Sequence, residues 1–436
     1  MKYFKTKNYS NLINLILAFI FIVLINGRPL LGLYLFGYRI GEFLTAFGLL
    51  FIFIVLVKNN FFTENLSKSV LIFHFLLVFL FFIYNIFDNS NFTNTYIYKN
   101  SVYIWYVAYF YIGLIIFKNV ALDNLHFKVG YSGLFIVFIF NTIYFPNIFF
   151  EFYTKNSDKF QFLKGSEIIL FFVIVAFFSN RFNQKGIMLD VFLIFSSIFI
   201  PLTIFKSRSA GIAIIIFIVF EIIIFKKYFL SNIKKTTFIF LICTFLFSIT
   251  SHYLVDNTFS IDETDQAIAQ VFKHKYVVSN TYDDEKSLFY FYDGRAYSAD
   301  GNLNWRLQLW QDSIESLSDN SKYLFGHGYK DRLEVFDDLI YSGLDGLNEN
   351  THNYFLNITL RGGILSLFLI LCFFREIFKL ALNNISKLDL FQFITPLFFV
   401  SMFDGSMENP CFGIGFYVFL SYLITKNKTY NQKNFR

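Results

Sequence analysis

The chain has 436 residues, of which 56% are hydrophobic and only 16% charged, with a formal net charge of +6. So small a charged complement cannot cover the surface of a soluble protein of this length, which excludes a cytosolic globular enzyme. Lys and Arg are scattered at the ends of apolar stretches rather than gathered into one basic face, which excludes a nucleic-acid binder.

Apolar intervals lie near residues 9–26, 40–57, 68–87, 101–117, 130–150, 165–179, 187–205, 209–225, 236–255, 352–374, 388–403 and 410–425. A bilayer core takes about 20 apolar residues per crossing, so the pattern predicts an all-α polytopic membrane protein with about 12 transmembrane helices. The first interval follows a basic start but leads into Asn26-Gly27-Arg28 rather than a small-residue cleavage site, so it is read as a retained span. Lys and Arg concentrate at the termini and in the loops on their side, which places both termini in the cytoplasm. The organisation expected is helices 1–9 over residues 1–255, a large extracytoplasmic loop over 256–350, and helices 10–12 with a cytoplasmic tail over 351–436. Cys243, Cys372 and Cys411 fall in or beside apolar spans and the loop has none, so no disulfide framework is expected. His74 reads as a packed span histidine, and His252 and His274 have no partner in the pattern.

On this topology the break Lys206-Ser207-Arg208-Ser209, between the seventh and eighth spans, faces outward. Cations there run against the usual cytoplasmic bias, so Arg208 is either a snorkelling anchor or a group awaiting an anion. The loop from Asp256 to Asn350 is acidic, with runs Asp283-Asp284-Glu285 and Asp337-Asp338. Within it, NLNWRLQLWQDSIESLSDN sets Leu307, Trp310, Ile314 and Leu317 at helical spacing, which predicts a short amphipathic helix. Arg306 lies four residues before Trp310 on the same flank. Its guanidinium either grips a phosphate or pairs with a loop carboxylate such as Asp312.

The turn FGHGY holds His327 between glycines, as part of a tight turn or as a ligand. THNYFLNITLRGG then opens the tenth span. His352 there is suited to accept a proton from a sugar hydroxyl, while Thr351-His352-Asn353 equally suits a polar helix cap. Arg361 lies on the opposite face of an unbroken helix from His352, and Gly362-Gly363 is where that helix would break and turn it inward. A cation so deep in a span is functional by default. In SMENP, Glu408 either caps the last span or joins the same polar face. The chain has no Walker loop, G-x-S-x-G, H-E-x-x-H, paired-cysteine zinc pattern or EF-hand spacing.

Taken in order, SRSAG opening a span, R-x-x-x-W in a long outer loop, G-x-G-Y after it and HNYFLNITLRGGI entering the next span resemble O-antigen ligases and Wzy-type O-antigen or capsule polymerases. These belong to the C-type glycosyltransferase superfamily. The likeness covers roughly residues 190–425, and it departs from many members in having Ser-Ala rather than glycine directly after Arg208. It implies glycosyl transfer from a polyprenyl-diphosphate-linked oligosaccharide at the outer face of the bacterial inner membrane, without metal or nucleotide cofactor. Arg208 and Arg306 would hold the donor diphosphate, with Arg361 as a further contact, and His352 would activate the acceptor hydroxyl. Trp310 would pack the loop helix at the site, with Asn353, His327 and Glu408 in support. A lipid-linked acceptor, membrane lipid and a chain-length regulator protein are the partners implied. A polymerase is the first reading. A ligase acting on lipid A-core or a protein hydroxyl is the second, and a lipid-glycan transporter the third.

Overall fold

The structure is a computed structural model that describes residues 7–57, 67–119, 122, 124–157, 163–182, 186–256, 289–292, 294–298, 300–319, 322–338, 340–341 and 348–425. The acidic run Asp283-Asp284-Glu285 and His274 lie outside the described residues.

The apolar intervals are helical. They correspond to α1 (Lys7–Asn26), α2 (Ile40–Val57), α3 (Lys68–Phe87), Val102–Trp105 leading into α4 (Val107–Asn119), α5 (Asn124–Thr142), α6 (Gly165–Phe182), α7 (Ile187–Lys206), α8 (Arg208–Ile224) and α9 (Ile233–Asp256). A hairpin of β1 (Phe289–Tyr292) and β2 (Arg295–Ser298) and helix α10 (Gly301–Asp319) follow, then α11 (Tyr354–Leu382), α12 (Lys387–Phe403) and α13 (Pro410–Thr425). The helices at Lys68–Phe87, Leu125–Thr142, Ile187–Lys206 and Ile233–Leu254 are long and apolar enough to cross a membrane, and the chain is a membrane-embedded helical protein.

The fifth interval was expected at 130–150, but the helix occupies 124–142 and a separate helix, Asn147–Asn156, begins after Pro146. Proline lacks the N–H a helix interior needs and biases the residue before it away from helical backbone, so the apolar run is cut there.

The chain divides into two compact units, one of residues 1–72, 102–257 and 373–436 and the other of 73–101 and 258–372. In the first, α6 and α13 are central, buried from Ile168 to Arg181 and from Cys411 to Leu423. Close crossings use glycine. A Cβ on Gly113 of α4 would stand 2.2 Å from Ser421 Oγ and 2.7 Å from the Val418 carbonyl of α13.

One end of that bundle is locked by ions. Arg181 sends Nε to Asp389 Oδ1 at 2.9 Å, Nη1 and Nη2 to Glu221 at 3.2 and 3.0 Å, and a further bond to Gln392. Asn180 Nδ2 also donates to Glu221, at 2.7 Å. A planar fork with several donors is what satisfies two carboxylates so far from water.

The second unit has its own core of Leu309, Leu317, Leu333, Phe336, Tyr341 and Leu360, flanked by Trp305, Trp310 and Leu356. Helix α10 forms where the amphipathic helix was expected, but its buried stripe differs. Asn304, Gln308, Leu309, Ser313 and Leu317 face inward, while Ile314 is 52% exposed. The cause is the hairpin. Gln308 and Gln311 both donate to the Ala296 carbonyl, Gln311 accepts from the Ala296 N–H, and Asn304 accepts from the Ser298 N–H. Polar side chains on one face of α10 thus complete the free edge of β2, and burial follows those bonds rather than hydropathy.

Candidate functional site

Helix α11 is broken at Gly363, whose φ of 71° and ψ of 179° lie outside any helix. Such a break leaves carbonyls unpaired before it and N–H groups unpaired after it. The segment 323–328 supplies both kinds of partner. His327 N–H donates to the Leu360 carbonyl at 2.7 Å and Gly328 N–H to that of Arg361 at 3.0 Å. On the far side, Ile364 N–H donates to Tyr323 at 2.8 Å and Leu365 N–H to Leu324 at 3.3 Å.

The fit is backbone against backbone. A Cβ on Gly363 would meet the Leu324 oxygen at 2.0 Å, and one on Gly326 would meet the Leu360 oxygen at 2.6 Å. FGHGY and RGG are therefore two halves of one joint, and both need glycine at the contact.

Arg361 is drawn into this joint. It is 1% exposed, and Nη1 donates to the carbonyls of Gly328, at 3.3 Å, and Asp331. In these bonds it fastens the turn to the helix break. His327 is half-buried, with Nε2 3.0 Å from Ser316 Oγ of α10. Burial pushes its pKa down, the charges of Lys322 and Arg361 add to this, and Glu334 opposes it.

Two tryptophans of α10 hold the segment before α11. Trp310 Nε1 donates to the Thr351 carbonyl at 2.7 Å. The Trp305 ring meets the His352 imidazole edge-on, with centroids 5.5 Å apart. His352 has a φ of 55°, in the left-handed region that histidine tolerates better than most residues, and its N–H donates to Asn350 Oδ1 at 2.6 Å. Asn353 Oδ1 accepts from Leu356 N–H at 3.1 Å and so caps α11. The cap is therefore Asn353, which leaves the half-buried imidazole of His352 outside the helix and against an indole.

Arg306 sits between the two anchors. At about 100° per residue it lies about 100° round α10 from Trp305 and about 40° from Trp310, inside the arc the two indoles turn toward residues 351–352. Nearby on α10, Asp312 accepts from Arg295 and from the Tyr341 hydroxyl. Arg306, Trp310, His327, His352, Asn353 and Arg361 therefore belong to one unit. Trp305 joins them, although nothing in its spacing had marked it.

Arg208 and Glu408 belong to the other unit. Arg208 is exposed and opens α8, with no acidic residue in the first turn. A cation there meets the positive end of the helix dipole. The neighbouring turn is close. A Cβ on Gly165 would lie 2.9 Å from Ser207 Cβ and 3.0 Å from Ala210 Cβ. Around Gly165, buried Glu167 accepts from Arg28 Nε at 3.0 Å and from Asn409, and Lys164 Nζ lies 3.5 Å from Asp404. Burial pushes the Lys164 ammonium below the ordinary lysine range, with Asp404 opposing and Arg28 adding. Asn409 Oδ1 accepts from Cys411 N–H at 3.1 Å, so Asn409 rather than Glu408 caps the last helix. Glu408 is half-buried in a 3-10 turn over Ser406–Glu408.

No cluster of three or more His, Cys, Asp or Glu side chains placed to hold a metal occurs among the described residues. Residues 191–371 match the family model described as O-antigen ligase, a stretch that contains Arg208, Arg306, Trp310, His327, His352, Asn353 and Arg361 but not Glu408. No curated protein matches the chain.

Proposed function

We propose that the match of residues 191–371 to the O-antigen ligase family extends to activity, and that the chain transfers a glycan from a polyprenyl-diphosphate carrier to a hydroxyl acceptor. The observation that carries this reading is the arrangement around His352. Its imidazole stands outside α11, held by Trp305 and by a strained backbone, on a segment that α10 also anchors beside Arg306. Strain kept in place by several independent contacts is a mark of functional positions.

In the reaction, His352 takes the proton of the acceptor hydroxyl as its oxygen bonds the anomeric carbon. The bond from that carbon to the diphosphate breaks, and the diphosphate leaves with the electron pair. Arg306 neutralises the leaving group through a guanidinium able to grip two phosphate oxygens, and the resemblance to the family assigns the same role to Arg208. Arg361 acts at one remove by holding the 326–331 turn. On this reading the twelve apolar helical intervals are spans and the second unit's loop faces the periplasm.

The particular reaction proposed is polymerisation of lipid-linked repeat units into O-antigen or capsule. The family's description favours the ligase as the second reading. A deletion strain separates them. Surface glycan collapsing to a single repeat on lipid A-core marks a polymerase, whereas lipid A-core bare of repeats, with lipid-linked polymer accumulating, marks a ligase. Complementation by Arg208→Lys or His352→Ala that restores full polymer yield and length would overturn the assignment of these residues.

A further inference from the structure

We propose that a cleft in the second unit binds one acyl chain of a zwitterionic phospholipid, with Asp88, which lines it, taking the ammonium of the headgroup and Lys330, beside Asp88, taking the phosphate. The cleft has a volume of about 410 Å³, within the range of roughly 300–1,000 Å³ typical of ligand sites. One wall is a single stripe of α3, formed by Leu80, Ile83, Tyr84 and Phe87 at helical spacing. The other is Gly362 and Ser366, on either side of the α11 break, where small side chains leave the space open. Polar groups inside are few, so the interior suits hydrocarbon rather than sugar.

The walls are held in place. Tyr84 Oη donates to the Gly326 carbonyl at 3.4 Å, its ring meets Tyr329 edge-on at 6.0 Å, and Asn100 Nδ2 donates to the Tyr329 carbonyl at 2.8 Å. The position is that of a lipid site. Helix α3 is one of those long and apolar enough to cross a membrane, and Phe87, 83% exposed, closes its last turn directly before Asp88.

The mouth decides the headgroup. Lys330 Nζ lies 4.0 Å from Asp88 Oδ2, with side chains 42% and 36% exposed, so both charges reach solvent, and the charge of Asp331 acts on Tyr84 alongside that of Asp88 and sets the mouth against anions. A zwitterionic headgroup complements both Asp88 and Lys330. A diphosphate would bring several negative charges against the Asp88 carboxylate, so the glycan carrier fits this mouth poorly. An acyl chain here packs on Gly362 and Phe325, on both sides of the joint at the α11 break, and so braces the turn that Arg361 holds. This inference does not depend on glycosyl transfer.

The test is native mass spectrometry of the full chain released from detergent, with phosphatidylethanolamine, phosphatidylglycerol and undecaprenyl phosphate offered in competition. Wild type should retain phosphatidylethanolamine about tenfold over either competitor. Ser366→Phe, which fills the cleft, should lose that adduct. Asp88→Lys, which leaves the cleft open, should reverse the preference toward phosphatidylglycerol and decides the matter if Ser366→Phe does not fold. Wild type preferring phosphatidylglycerol or undecaprenyl phosphate, or Asp88→Lys with unchanged selectivity, would overturn the proposal.

Discussion

Replacing Gly363 by alanine should undo the joint between α11 and the FGHGY turn. The added Cβ would stand 2.0 Å from the Leu324 oxygen and 2.4 Å from the Phe325 nitrogen, both backbone atoms with no side-chain freedom to move aside. The φ of 71° and ψ of 179° belong to a region nearly restricted to glycine, which costs a substituted residue about 1–3 kcal/mol. If the turn is pushed off, the four backbone bonds across the break are lost as well. At about 0.5–1.5 kcal/mol each these amount to about 2–6 kcal/mol, so the full cost is about 3–9 kcal/mol. Thermal unfolding in detergent, followed by tryptophan fluorescence, reads the right region because Trp305 and Trp310 both lie in that unit. Gly294→Ala, in the same unit, is the control. Its φ of 74° is also positive, yet a Cβ there would meet nothing within 4 Å, so it carries the backbone penalty alone. Equal Tm losses for the two variants would refute the claim that close backbone approach, rather than local strain, fixes glycine at 363.

Arg181→Met should destabilise the first unit by about 3–5 kcal/mol, since it leaves Glu221 and Asp389 buried together without their cation, and denaturant unfolding would measure it. Trp310→Phe keeps a ring but loses the bond to the Thr351 carbonyl. It should cost about 1–3 kcal/mol and lower transfer activity in parallel, as thermal shift and a transfer assay on the same preparation would record. His327 has a depressed pKa, so below about pH 6.5 the unfolded chain takes up a proton that the folded chain refuses. Its stabilising contribution is complete above that pH and is lost as pH falls, so His327→Gln should flatten the decline of Tm between about pH 7 and about pH 5.5.

The sequence displayed the helices plainly because span hydropathy needs no partner to be recognised. It also displayed the break in α11, since Gly362-Gly363 inside an apolar helix has few other uses. The burial of α10 was misread at Ile314 because inward-facing Asn304, Gln308 and Gln311 are polar, and their reason for burial is a strand edge far off in hydropathy terms. That strand carried a signal of its own, for Asp293-Gly294 between FYFY and RAYS is a strong hairpin pattern. Trp305 against His352, and the Arg28–Glu167–Asn409 cluster beside the Arg208 turn, arise from contacts between residues distant in the chain. No local period encodes such meetings. Arg361 was legible as a buried cation needing partners, but those partners are backbone carbonyls, which any sequence would offer.

The central claim is that His352 handles the acceptor proton during transfer from a diphosphate-linked donor. Its most direct test is the initial rate of glycan transfer by purified protein in liposomes, with the lipid-diphosphate oligosaccharide as donor, comparing wild type with His352→Ala. Loss of a general base should lower the rate by about 10²–10⁴-fold while thermal stability and donor binding persist. A His352→Ala protein that transfers glycan at the wild-type rate would contradict the account.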